Sequence, residues 1–406
     1  MIIRMDELIQ AIAVALETVE IKLLGASENH GKRIAVLCSM MGKELGLSTD
    51  DIKVITTCAL FHDNALTEYI LSERATGQTK EINLKLHCIY GQRNIESLLF
   101  GTSASDEKEY VLYHHEQADG GGPFGKKEGE FPLGAELIAI ADMVDVKYHL
   151  QRVDLSELPS IRDQIASQCG ILYTKTATDA MLAILNEDTL EKLRDENIYD
   201  SAAKLIPEWE VGIKDEALIR IADLSAKIID YSCTFTKRHS VQIAEMTGLM
   251  SRYYGFDSTK RVKAYLAASL HDIGKLATPA EILEKPSKLT PEEYKVIQEH
   301  VKGTYDMLKP VTGFEDICIW ASNHHEKLDG SGYWAGKNAD DLDFVSRLIV
   351  CADIYQGISE ARPYHPGRDH KETMTIVWDM AGKGFIDSTI VKDIDIIMAE
   401  YSTRTL

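Results

Sequence analysis

Apolar residues recur at three- and four-residue intervals through most of the chain. The stretches "HGKRIAVLCSMMGKELGLS" (residues 30–48), "DIKVITTCALFHD" (51–63) and "HSVQIAEMTGLMSRYYGFDS" (239–258) all carry this helical period, whereas two-residue alternation is scarce. The pattern predicts an all-α protein. The first and third stretches each run into a glycine and a short polar turn, a helix stop, and each is followed by a second apolar helix ending in His-Asp.

These landmarks recur in one order. His30, His62-Asp63, His87, His114-His115 and Asp142 match His239, His271-Asp272, His300, His324-His325 and Asp353. The first interval is 32 residues in both series, and the others agree to within about one helical turn. Recurrence of seven ligand-type residues at such spacing indicates tandem duplication. The expected domains are 1–150, a helical linker over 151–212 in which Pro159 and Pro207 act as breaks, and 213–406.

Length and charge narrow the classes. A chain of 406 residues is long enough for two cores. The net charge of -20 argues against a broad DNA or RNA surface, so an anionic substrate would need local positive charge. No apolar run approaches the roughly 18 residues of a membrane span. Seven cysteines form no C-x-x-C pair, and the opening "MIIRMDELIQAIAVALETVEI" reads as an amphipathic helix rather than a leader. A soluble, cytoplasmic protein is expected, with no membrane partner.

Imidazoles with carboxylates, and no thiolates, suit iron, manganese or zinc better than calcium or magnesium, and disfavour a cysteine-built zinc knot. Adjacent His-Asp and His-His residues diverge by about 100 degrees on a helix, so neighbours can serve different ions, and a carboxylate can bridge them. A seven-residue set fits a dinuclear centre, which acidifies water and stabilises the attacking and leaving oxygens of a phosphoryl displacement. Lys275, four residues after His271, falls on the same helix face and could reach a substrate phosphate.

The second half resembles the HD-GYP family of HD-domain phosphohydrolases. The resemblance rests on "HDIGKLATPAEILEKPSKLTPEEYKVIQEHVKGTYDML" (271–308), "NHHEKLDGSGYW" (323–334), "ADIY" (352–355) and "RPY" (362–364). It implies a helical metalloenzyme hydrolysing a bacterial cyclic dinucleotide, cyclic di-GMP or 3',3'-cyclic GMP-AMP, through metal-activated hydroxide attack at phosphorus. Carried over residue by residue, it implies that His239, His271, Asp272 and Asp353 hold one metal and Asp272, His300, His324 and His325 the other, with Asp272 bridging. Two divalent ions are implied, iron or manganese, with zinc as an alternative. Lys275 would neutralise phosphate beside Asp272. Asp329, Gly330, Gly332 and Tyr333 would line a base pocket, with Trp334 and Arg362 beside the substrate.

Departures qualify the resemblance. Trp334 stands where the family signature has proline, and Phe235 where some members have a third-metal glutamate. Gln356 replaces another common polar or charged partner, so two metals are expected rather than three. The first half keeps His30, His62, Asp63, His87, His114, His115 and Asp142, but Leu66 stands in place of Lys275, and "DGGGPFG" lacks the signature tyrosine. It is expected to be a degenerate, metal-competent copy that supports the catalytic half, with a second active site and a metal-free relic as alternatives. The copies would pack as a pseudo-dimer, leaving a homodimer or signalling partners open. A non-catalytic cyclic-dinucleotide receptor and another HD-class reaction, nucleotide phosphohydrolysis or diiron oxygenation, are the competing functions.

Overall fold

The structure is a computed structural model describing residues 2–24, 27–65, 83–96, 109–231, 238–283, 285, 287–360 and 367–404. The chain is α-helical, and the strands among the described residues are the three-residue segments Ile2–Arg4 and Glu210–Gly212. It divides into two compact units, Arg4–Gly212 and the chain from Ile213 onward together with Ile2 and Ile3.

In the first unit, Met5–Leu24 leads into His30–Glu44, Thr49–Leu60, Leu84–Ile95 and Leu133–Tyr148. Ile34, Leu37, Cys38 and Met41 bury the apolar stripe of the second of these helices. Ser48 starts the next by accepting a hydrogen bond from Asp51 N at 3.1 Å. Residues 151–212 belong to this unit: helices Lys175–Ile184 and Ile198–Leu205 pack on His30–Glu44.

The second unit repeats the plan with Asp215–Tyr231, His239–Tyr253, Ser258–Leu270, Pro291–Leu308, Glu315–Ser322 and Phe344–Ser359, followed by His370–Gly382 and Ser388–Arg404. Asp257 caps one helix and Asp343 another, and a Thr290/Glu293 capping box with Pro291 in the first turn starts Pro291–Leu308. Gly46 and Gly255 end equivalent helices at φ of +68° and +65°, a conformation glycine adopts without Cβ strain. Among the described residues, no helix is long and apolar enough to cross a membrane.

Candidate metal centre

In the second unit the seven predicted side chains converge from five places in the chain. His239 opens helix His239–Tyr253, and His271 and Asp272 follow the end of Ser258–Leu270. His300 projects from Pro291–Leu308, His324 and His325 follow Glu315–Ser322, and Asp353 sits inside Phe344–Ser359. Three groups, His239/His271/Asp353, His300/His324/His325 and His271/Asp272/His324, each bring ligand atoms within 4.8 Å of one another. Asp272 divides its oxygens between them: Oδ2 lies 3.2 Å from His271 Nε2, and Oδ1 lies 3.3 Å from His300 Nε2 and 3.6 Å from His324 Nε2. Asp353 Oδ1 lies 3.4 Å from His239 Nε2, and its Oδ2 is 3.7 Å from His325 Nδ1.

The backbone fixes which imidazole nitrogen faces the centre. His271, His300 and His324 each place Nδ1 on the carbonyl oxygen three residues back, at 2.7, 2.5 and 2.7 Å. A carbonyl only accepts, so Nδ1 carries the proton and Nε2 presents a lone pair, the tautomer that a metal-binding histidine requires. His300 Nε2 and His324 Nε2 are 3.1 Å apart, two lone pairs facing one point. Asp272 Oδ1 is buried without a hydrogen-bond partner, and leaving such an oxygen unpaired is costly unless a cation completes it. The donor set therefore fits a pair of divalent ions.

Charge supports the same fit. Burial would raise the Asp272 carboxyl, but His271 and Lys275 outweigh it and hold it well below the usual carboxylate range. Burial disfavours protonated His239, yet the Asp353 and Glu360 carboxylates push it up to about 9, an attraction that a cation would share. Burial and the neighbouring His271 and His300 take His324 down to about 4, although Asp272 opposes them.

Of the remaining predicted residues, Lys275 and Tyr333 touch the clustered side chains. Lys275, about a fifth exposed, sets its Nζ against Asp272 Oδ2. Asp329 accepts from Ser331 N at 3.0 Å, closing its own turn, and Gly330 has a φ of +79°. A Cβ on Gly332 would lie 2.5 Å from the Glu326 backbone, so this glycine serves a contact within the protein. Tyr333 stacks on His325 at 4.9 Å between centroids, and Trp334 packs on Tyr305 at 5.2 Å while remaining 38% exposed. Arg362, Phe235 and Leu66 lie outside the described residues.

Two features escaped the sequence reading. Glu326, fully buried, accepts from the backbone N–H groups of Ala335, Gly336 and Lys337 at 2.8, 3.1 and 3.0 Å and so clamps the glycine loop. Tyr294, on the helix that carries His300, stands edge-on to Tyr333 at 6.5 Å. Its signal was an aromatic residue three helical turns from Tyr305, on one face.

The first unit assembles its seven residues in the same way. Asp63, His87, His114 and His115 form one group and His30, His62 and Asp63 another. Asp63 Oδ2 is 3.4 Å from His62 Nε2 and Oδ1 is 3.3 Å from His87 Nε2, the division seen at Asp272. Asp142 Oδ1 lies 3.2 Å from His30 Nε2. His62 and His114 place Nδ1 on the carbonyl oxygens of Ala59 and Val111 at 2.9 and 2.7 Å. Glu116 repeats Glu326, accepting from Phe124 N and Lys126 N at 2.7 and 2.6 Å.

Comparison with known proteins agrees with this geometry. Residues 223–390 match the HD domain family model HD_5. The second unit therefore carries an HD domain. Over 390 residues, 93% of this chain and 88% of the relative, it is 28% identical to 3'3'-cGAMP-specific phosphodiesterase 1 of Vibrio cholerae. It is 27% identical to a cyclic di-GMP phosphodiesterase of Thermotoga maritima over 174 residues, 42% of this chain and 46% of the relative. A crystal structure of a cyclic GMP-AMP-specific phosphodiesterase from V. cholerae superposes with a TM-score of 0.64 at 21% identity over 98% of each chain, a likeness of fold. HD-domain phosphohydrolases depend on metal, and this chain has His/Asp groups that could hold one.

Proposed function

We propose that the chain is a metal-dependent phosphodiesterase that opens a bacterial cyclic dinucleotide, with catalysis in the second unit and 3',3'-cyclic GMP-AMP as the preferred substrate. The observation that carries this reading is the division of Asp272 between two histidine groups, with an ammonium, Lys275, against the same carboxylate. The substrate preference is supported by the printed activity of the relative that aligns along nearly the whole chain.

His239, His271, Asp272 and Asp353 would hold one ion, and Asp272, His300, His324 and His325 the other. When bound, the pair supplies Lewis acidity and an acidified water for attack at phosphorus. Lys275 brings positive charge to a phosphodiester in a chain of net charge -20. The Glu326 clamp holds the loop carrying Tyr333 and Trp334, and these aromatic faces with Tyr294 suit stacking on bases. His325, less enclosed than the other ligands, lies at the boundary between metal and substrate. Iron and manganese are the proposed ions, and zinc is compatible with the same donors.

The test is a comparison of 3',3'-cyclic GMP-AMP, cyclic di-GMP and cyclic di-AMP as substrates for the full chain purified with iron or manganese under reducing conditions. Hydrolysis that is abolished in the His271→Ala/Asp272→Ala variant is expected. Tight binding of one of these nucleotides without turnover would replace this reading with a receptor.

A further inference from the structure

We infer that the first unit is a second resident metal centre, without hydrolytic activity of its own, which holds its ions more tightly than the second unit does. The family model begins at residue 223, so it assigns nothing to the first unit. Its occupancy is argued from its own residues. Only the comparison of tightness rests on the second unit being the catalytic centre.

Occupancy follows from the donors. Two groups of ligand atoms share Asp63, whose oxygens turn to opposite sides of the centre. His62 is 2% exposed, has Nδ1 committed to a carbonyl, and is left with a buried Nε2 that has no hydrogen-bond partner. That lone pair faces Asp63 and Asp142 at 3.4 and 3.7 Å. A buried imidazole nitrogen aimed at two carboxylates, with three further histidines around the same aspartate, is a cation site.

Tightness follows from what stands behind the ligands. His30 places Nδ1 2.7 Å from Asp145 Oδ2. Asp145 is itself gripped by the fully buried Arg33, through Nε at 2.8 Å and Nη2 at 2.9 Å. Arg33 also donates to Glu28 O and Ser27 Oγ, each at 2.6 Å. A carboxylate on Nδ1–H fixes the ring and makes Nε2 a stronger donor, and removing such a partner costs about 10- to 100-fold in metal affinity.

The second unit has only a looser form of this support. Three residues beyond His239 and Asp353, where the first unit has Arg33 and Asp145, stand Gln242 and Gln356, which bond to each other at 2.6 Å. The carboxylate behind His239 is Glu360, whose oxygen stands 3.3 Å from Nδ1 and outside hydrogen-bond geometry, against 2.7 Å for Asp145 behind His30. There is also a competitor for the metal: Lys275 sits on the bridging carboxylate, whereas the residue at that position in the first unit is the uncharged Leu66. Two features that suit the second unit to turnover, the ammonium at the bridge and Tyr333 in the loop, are replaced in the first by Leu66 and Pro123.

The experiment is stepwise chelation of the manganese-loaded full chain, with metal counted by mass spectrometry and hydrolysis followed in parallel. About four ions per chain are expected, two for each dinuclear centre. Half should leave first, together with activity, and half only at roughly 10- to 100-fold higher chelator. His271→Ala/Asp272→Ala should delete the labile half, and His62→Ala/Asp63→Ala the retained half. Asp145→Asn, which keeps all seven ligands, should move the retained half toward the labile one, with the melting profile checked for folding. If His62→Ala/Asp63→Ala fails to fold, the Asp145→Asn shift decides the question.

A wild-type chain with about two ions, all lost in His271→Ala/Asp272→Ala, would overturn occupancy. Release in one phase, or first release from the first unit, would overturn the order of tightness. Four ions without hydrolysis of any cyclic dinucleotide would defeat the catalytic reading and leave this one standing.

Discussion

Replacing Gly274 by alanine tests how packing sets the metal geometry. A Cβ there would lie 2.0 Å from His300 O and 2.5 Å from Thr304 N, against an ordinary contact of 3.4–4 Å. Both are backbone atoms of Pro291–Leu308, so no side chain can rotate away and the helix must withdraw, by about 1 Å in a close-packed interior. His300 travels with it, although its Nε2 stands 3.3 Å from Asp272 Oδ1 and 3.1 Å from His324 Nε2. Metal–ligand distances tolerate about 0.2 Å, and a misplacement of about 1 Å can lower turnover roughly 100-fold. Overpacking should add about 1–3 kcal/mol of destabilisation.

The first unit carries the small and the larger residue at these two positions the other way round. The position of Gly274 is occupied there by Ala65, and the position of Thr304 by Gly91. The double variant Gly274→Ala/Thr304→Gly should therefore recover part of what Gly274→Ala loses. Recovery is incomplete because Thr304 Oγ1 accepts from Gly274 N at 3.1 Å and donates to His271 O at 2.8 Å. Thr304→Gly alone should cost about 2–4 kcal/mol, from these groups and from glycine within a helix. Urea unfolding of the four proteins, with metal content and kcat, gives the cycle, and a favourable coupling of about 1–3 kcal/mol is expected. Unchanged metal content and kcat in Gly274→Ala, or strictly additive stabilities, would refute the reasoning.

Lys275→Ala should lower kcat by roughly 100- to 1,000-fold while leaving metal content equal or higher, since it removes a cation from both phosphate and Asp272; loss of metal would show a structural role instead. Glu326→Gln should destabilise the loop by about 2–4 kcal/mol, because three backbone donors lose a charged acceptor, and limited proteolysis should cut between residues 327 and 343. Trp334→Ala should raise KM by the equivalent of about 1–3 kcal/mol with kcat little changed, and an unaltered KM would remove Trp334 from the base-binding surface. Protonation of His239 and His30, each pushed up to about 9 by carboxylates against the opposing effect of burial, stabilises the metal-free fold fully below their ordinary 6.5, and this contribution is lost as pH rises through about 9. Metal must displace those protons, so apparent affinity should climb over that window and calorimetry in buffers of different ionisation heat should record proton release.

The sequence was most readable where one residue type has one use. Histidines and aspartates recurring in order disclosed the duplication, and the seven residues of each series come together in its unit. Helical period and the stops at Gly46 and Gly255 made the all-α class plain. Contacts whose meaning depends on a distant partner were not readable. Gly332 looked like room for a base, but its missing Cβ makes room for Glu326, a contact six residues back that only the folded turn creates. Lys275 was read only toward phosphate, whereas its ammonium rests on Asp272, an i,i+3 pairing that helical spacing allows.

The duplication supplies a way to separate these cases. What both copies share despite different substrate-facing residues belongs to the scaffold: the Nδ1-to-carbonyl locks, the split bridging aspartate, and Glu116 or Glu326 clamping the loop that follows paired histidines. What differs in matched pairs is where function diverges. Arg33 with Asp145 has become Gln242 with Gln356, and in each case the partners still bond, so the two positions changed as a unit around the first histidine ligand. A buried ion pair that lost one member would leave an uncompensated charge costing about 3–5 kcal/mol. Joint replacement avoids that state, and the physical consequence is a difference in how firmly the histidine behind it is held.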